Sequence, residues 1–175
     1  MIEWLSLEER WNYWLELMWE IYEMIWRLSS YSSDRANNVL EDINRKIDLA
    51  RENWLNVEDL DSRVLEYRII SLKNDIVSRI GDINKQNNPL SLDISDLIKR
   101  YNELKNERYI NVKNFEIVVK QMKELELLIF INKVKFMIAN INWTDDPAFD
   151  KLVDEILGAE ERGIDTTEAK NIVFW

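Results

Sequence analysis

The chain contains no cysteine and no histidine among its 175 residues. The first absence removes disulfides and thiolate chemistry, the second removes imidazole catalysis, and together they take away nearly all the usual zinc, haem and di-iron ligand sets. Carboxylate oxygen is what remains for a metal, and no cofactor is expected. Glycine and proline are also scarce. Gly81, Gly158, Gly163, Pro89 and Pro147 are the whole supply, whereas a sheet protein needs turn residues roughly every ten positions. An all-β fold is thereby set aside. A membrane-spanning run is missing too: the most apolar stretch, Glu124 to Ile141, is broken by Asn132, Lys133 and Lys135 well short of about twenty apolar residues. The first thirty residues carry Glu8, Glu9, Arg10, Glu16, Glu20 and Glu23, too many charges for a signal peptide or a span. The expected location is the cytoplasm, that of the host cell if the protein is viral.

What is present is helical periodicity. With 46% apolar residues, eight of them tryptophan, the length suits one domain with its own core. The expected fold is all-α: a single domain over 1–175, with an antiparallel, coiled-coil-like bundle of about five long helices in 1–143 and an acidic C-terminal helical hairpin in 144–175 packed on it. At the centre stands Glu116 to Ile141, apolar on almost every face, as a helix surrounded by neighbours would be. One seam reads Val118, Met122, Leu125, Ile129, Asn132, Phe136 and Ala139, and a second reads Leu128, Ile131, Val134 and Ile138. On this reading Asn132 lies inside the core and needs a hydrogen-bond partner there.

The other helices follow from caps and spacing. Ser6-Leu-Glu-Glu9 is a capping box, so the first helix starts near Leu7 and runs to about Leu28. Its seam is Trp4, Leu7, Trp11, Trp14, Met18, Ile21, Ile25 and Leu28. Beside it runs a second stripe of Leu15, Trp19, Tyr22 and Trp26. Ser33 is the expected cap of the second helix, Asp34 to about Leu55, whose seam is Ala36, Leu40, Ile43, Ile47, Ala50 and Trp54. A turn capped by Asp59 or Asp61 leads into the third, about Ser62 to Lys85, in which Gly81 marks a weakness or a close contact between helices. Ser91 or Asp93 caps the fourth. Asn111 as a cap, with Ile110 and Phe115 as a hydrophobic staple, separates it from the central helix at Tyr109 to Asn111. Thr144-Asp-Asp-Pro147 opens the next helix, Gly163 closes it, and Asp165 or Thr166 caps the last.

Charge is unevenly spread. The net −10 divides into about −4 for residues 1–30, −4 for 31–62, +4 for 63–143 and −6 for 144–175. An acidic surface of Glu9, Glu16, Glu20, Glu23, Asp145, Asp146, Asp150 and Asp154 contrasts with a basic group of Lys99, Arg100, Lys105, Arg108, Lys113, Lys120 and Lys123, which Glu103, Glu107 and Glu116 dilute. The basic group suits nucleic acid only weakly, because the field of the whole chain repels phosphate. Asp145, Asp146, Asp150 and Asp154 are the densest carboxylates, yet they lack the glycine and the oxygen spacing of a calcium loop and suit a helix start without any metal. No phosphate loop, dinucleotide fingerprint or nucleophile elbow occurs, and no small-molecule substrate is suggested.

These features point to a non-enzymatic protein that binds a protein partner or a second copy of itself. Its Trp-rich first helix offers Leu15, Trp19, Tyr22 and Trp26 as the contact surface. The alternative use of the same residues is internal: the helix would lie between two layers of its own bundle, burying Trp4, Trp11 and Trp14 on one side and Trp19, Tyr22 and Trp26 on the other. A different functional alternative is an acidic inhibitor, analogous in charge and size to small viral or plasmid proteins that occupy a basic nucleic-acid groove. Weak nucleic-acid binding through the basic helices is a third.

Overall fold

The computed structural model describes residues 6–85, 93–107, 112–141 and 146–174. Of these, 88% are helical and none is in a strand, as the scarcity of glycine and proline requires. Among the described residues the helices are α1 (Leu7–Arg27), α2 (Ser33–Glu52), α3 (Glu58–Lys85), α4 (Ser95–Lys105), α5 (Val112–Asn140), α6 (Asp146–Glu161) and α7 (Thr167–Phe174), with a 3-10 turn, Leu28–Ser30, after α1. The chain divides into two compact units. One holds α1, α2 and the start of α3 up to Ile70; the other runs from Ser71 of α3 through α7.

In the first unit the short connection after Leu28 folds α2 back along α1. Leu17 and Ile21 of α1 and Leu28 of the turn after it meet Ala36, Ile43, Ile47 and Ala50 of α2, and Val57, Leu60 and Val64 close the cluster. Ile21, Leu28, Ile43, Ala50 and Leu60 are fully buried. The α2 boundary differs from expectation: Ser33 is the first helical residue and Ser32 occupies the cap position, without a side-chain hydrogen bond. Entry into α3 also differs. The Glu58 N–H donates to Asn56 Oδ1 at 3.1 Å, so an Asx turn starts this helix ahead of Asp59 and Asp61, which lie in its first turn.

In the second unit α3 buries Leu72, Ile76 and Ile83 along one face. Gly81 is not a site of close approach: a Cβ there would meet nothing within 4 Å. The Ser95 N–H donates to Asp93 Oδ1 at 2.9 Å and starts α4; Ser91 lies outside the described residues. With 11 residues, α4 is short rather than long. It ends at Lys105, and α5 begins at Val112, so the expected separation of the two helices is present, although Ile110 and Asn111 lie outside the described residues. Tyr101 of α4 stacks on Phe115 of α5, ring centroids 5.6 Å apart.

The buried face of α5 changes along its length. Phe115, Val118, Met122 and Leu125 are buried in its first half; Phe130, Ile131 and Val134 take over in the second, where they pack with Leu152, Ile156 and Ala159 of α6 and Ala169 of α7. The first seam is therefore abandoned after Leu125. Phe136 and Ala139 are exposed and Asn132 is half-buried, which corrects its placement inside the core. The cause is the docking of α6 and α7 on the second half of α5, which Lys133–Glu155 (2.6 Å) and Lys135–Glu168 (3.2 Å) accompany. Gly163, at φ 77°, ends α6. The Thr167 N–H then donates to Asp165 Oδ1 at 3.0 Å, so of the two expected caps Asp165 acts and Thr166 is buried instead.

Candidate functional site

The first helix begins as its capping box dictates. The Glu9 N–H donates to Ser6 Oγ (3.3 Å) and the Ser6 N–H to Glu9 Oε2 (2.8 Å). That second bond first, then the Ser6 hydroxyl, holds the Glu9 carboxyl below the ordinary carboxylate range. The box fixes the phase of a helix with two apolar faces, of which the first unit covers one. Leu17, Ile21 and Leu28 point inward, and Trp14, Met18, Tyr22, Met24 and Ile25 pack around them.

The other apolar face stays open. Leu7 is 86% exposed, Trp11 63%, Leu15 52%, Trp19 75% and Trp26 80%. The first four follow one another at intervals of four, so they form a single ridge that drifts about 40° around the helix per step, and Trp26 continues it two turns on. The layered-core alternative fails here, because Trp11, Trp19 and Trp26 are all outside the core; Trp4 lies outside the described residues. Tyr22 stands apart from Leu15, Trp19 and Trp26. It is half-buried, its hydroxyl donates to Asp59 Oδ2 at 2.7 Å, and the Arg63 guanidinium lies over its ring at 5.3 Å. Arg63 Nε also donates to Asp59 at 2.9 Å. The bond to Asp59 raises the phenol pKa, and the bonds from Arg63 and then Tyr22 lower that of Asp59.

The residue after each ridge position is polar: Glu8, Asn12, Glu16, Glu20 and Arg27. Glu20 pairs with Lys46 of α2 at 3.1 Å and Glu23 pairs with Arg27. Glu8 and Glu16 are exposed and form no ion pair with any described residue. Alternating spacings of three and four place Leu7 and Trp11 in the core seam; the strict spacing of four from Leu7 to Trp19 is the signal that joins them to the open face instead.

Trp54, also expected on a core seam, is 96% exposed and carries the only positive φ of a non-glycine residue among those described, 63°. Its N–H donates to the Arg51 carbonyl (3.0 Å) and the Leu55 N–H to the Ala50 carbonyl (3.1 Å). That is the Schellman ending of a helix, with tryptophan in the left-handed position where glycine is usual.

The other charged groups are dispersed or satisfied internally. Arg100 of the basic group donates to Asp75 (2.6 Å) and to Ser71 (3.1 Å) in its own unit; Lys99, Lys105, Lys120 and Lys123 are exposed. Arg108 lies outside the described residues, and nothing is described of the Lys113 side chain. Asp150 and Asp154 are exposed on α6, Asp146 is its first residue, and Asp145 lies outside the described residues. Among the described residues no three acidic side chains converge on a metal position, and no helix is long and apolar enough to cross a membrane. No protein-family model matches the chain, and no curated protein or solved structure proves similar to it.

Proposed function

We propose that the protein is a non-enzymatic interaction protein whose contact surface is the open face of α1. The observation that carries this reading is the exposure of Leu7, Trp11, Leu15, Trp19 and Trp26 along one ridge. Leaving such side chains in water forgoes about 1.5–3 kcal/mol for each that a partner would bury fully. Large contiguous apolar patches on soluble proteins mark contact sites more often than not, and tryptophan leads the residues that dominate binding energy. The fold does not depend on this face, since the core of the unit is built from Leu17, Ile21, Leu28 and their neighbours.

The double substitution Trp19→Ser with Trp26→Ser tests the proposal. It is expected to leave the thermal midpoint within a few degrees of the parent and to remove self-association or partner capture. A loss of several kcal/mol of stability would show the two side chains to be core, where each large-to-small aromatic change costs roughly 3–5 kcal/mol.

A further inference from the structure

The ridge on α1 is bordered asymmetrically, and the asymmetry constrains what covers it. On one side lies the buried face of the unit, with Leu17, Ile21 and Leu28. On the other side the border is Glu8, Asn12, Glu16, Glu20 and Arg27, three carboxylates and one guanidinium. Lys46 and Arg27 already engage Glu20 and Glu23, respectively, whereas Glu8 and Glu16 form no ion pair with any described residue. Resting on the reading of α1 as the contact surface, we propose that its occupant is a basic amphipathic helix: apolar side chains seat on Leu7, Trp11, Leu15, Trp19 and Trp26, and lysine or arginine on one flank meets Glu8 and Glu16.

Three arguments select this occupant. A ridge of side chains spaced by four packs against the three-spaced ridges of another helix at a shallow crossing angle of about 20°, which keeps the two helices in contact over several turns. The ridge rises about 28 Å from Leu7 to Trp26, the length of a helix of some nineteen residues. Charge then decides between helices. A second copy of this chain packed antiparallel would set the Glu16 border of each α1 against that of the other, and in either orientation it joins molecules that each carry −10; an anionic lipid surface meets the same repulsion. A cationic flank turns that cost into attraction, and the apolar seat supplies affinity that salt does not screen.

The test uses the full chain and two fluorescently labelled nineteen-residue helical peptides of identical apolar pattern, one of leucine and lysine, the other of leucine and glutamate. Anisotropy titrations are expected to show binding of the lysine peptide and at least about a tenfold weaker response to the glutamate peptide. Glu8→Lys with Glu16→Lys should reverse that order, and Trp19→Ser with Trp26→Ser should abolish binding of both, with helicity and thermal midpoint recorded for each variant. Equal binding of the two peptides, a peptide-free dimer that dissociates on the tryptophan changes, or binding to neutral phosphatidylcholine vesicles in place of either peptide overturns the basic helix but leaves α1 as the contact face. No binding of either peptide overturns it as well. Lysine-peptide binding that survives the tryptophan changes overturns both proposals, because the contact then lies elsewhere.

Discussion

Trp54 and Gly163 occupy the same position of the same helix ending, and the difference between them sets up a quantitative test. After α6 the Gly163 N–H donates to the Glu160 carbonyl (2.9 Å) and the Ile164 N–H to the Ala159 carbonyl (3.0 Å), with Gly163 at φ 77°. After α2, Trp54 takes this role at φ 63°. A residue with a Cβ loses about 1–2 kcal/mol in the left-handed region, and the turn holds Trp54 there through its two backbone bonds and through Arg51, whose Nη2 reaches both Asp61 carboxylate oxygens at 2.9 Å. Because the indole is 96% exposed, replacing it removes almost no buried surface. Trp54→Gly therefore relieves about 1–2 kcal/mol and gives back about 0.4–1 kcal/mol through the freer unfolded chain. The net gain is centred on about 0.8 kcal/mol, a rise of roughly 2–3 °C in Tm for a chain of this length. Thermal melts followed by circular dichroism, with urea midpoints alongside, measure it. Trp54→Ala is the control, since alanine keeps the strain and should not stabilise. If glycine and alanine destabilise alike, the indole packs against something and the account of strain is wrong.

Three further changes probe the rest of the structure. Gly81→Ala should stabilise α3 by about 0.5–1 kcal/mol, because it restores helix propensity where the new methyl meets nothing; a drop in urea midpoint would refute the open surroundings. Leu152→Ala, at a fully buried position of the cluster formed by α5, α6 and α7, should cost about 2–5 kcal/mol in chemical denaturation. The Tyr22–Asp59–Arg63 group makes stability depend on pH at both ends. Asp59 is depressed below 3.8 in the folded state, so its contribution is present above that value and is lost as pH falls through the folded pKa; Tyr22 is raised above 10.0, so its contribution is present below that value and is lost as pH rises through its folded pKa. Asp59→Asn should flatten the acid limb of a stability–pH profile, and Tyr22→Phe the alkaline limb.

The helical class and most helix starts were legible because they depend on neighbours in sequence. Ser6 and Glu9 close their box, Asp93 and Asp165 bind the N–H groups two residues on, and each needs only a side chain and a nearby backbone. Which apolar residues are covered was less legible, because it depends on where other helices end up. The stripe through Leu17 and Ile21 of α1, continued by Leu28 just beyond it, and the ridge through Leu7, Trp11, Leu15 and Trp19 are both apolar at helical spacing, and periodicity alone treats them as equals. Alternating threes and fours presuppose a partner along the whole helix, as in a coiled coil. In its unit α1 packs chiefly against α2, so one face is covered and the tryptophans on the other are exposed. The same holds for α5, whose buried face shifts after Leu125 as α6 and α7 dock on its second half. Asn132 lies where the shift occurs. A polar side chain half-way between two buried seams can stay partly in water without a partner in the core, which is why a spacing that looked like a buried amide became a half-buried one. Width of apolar surface is thus written in the sequence, and its division between core and contact face is decided by tertiary packing. On α1 that width exceeds what its own unit covers, which leaves Trp11, Trp19 and Trp26 in water.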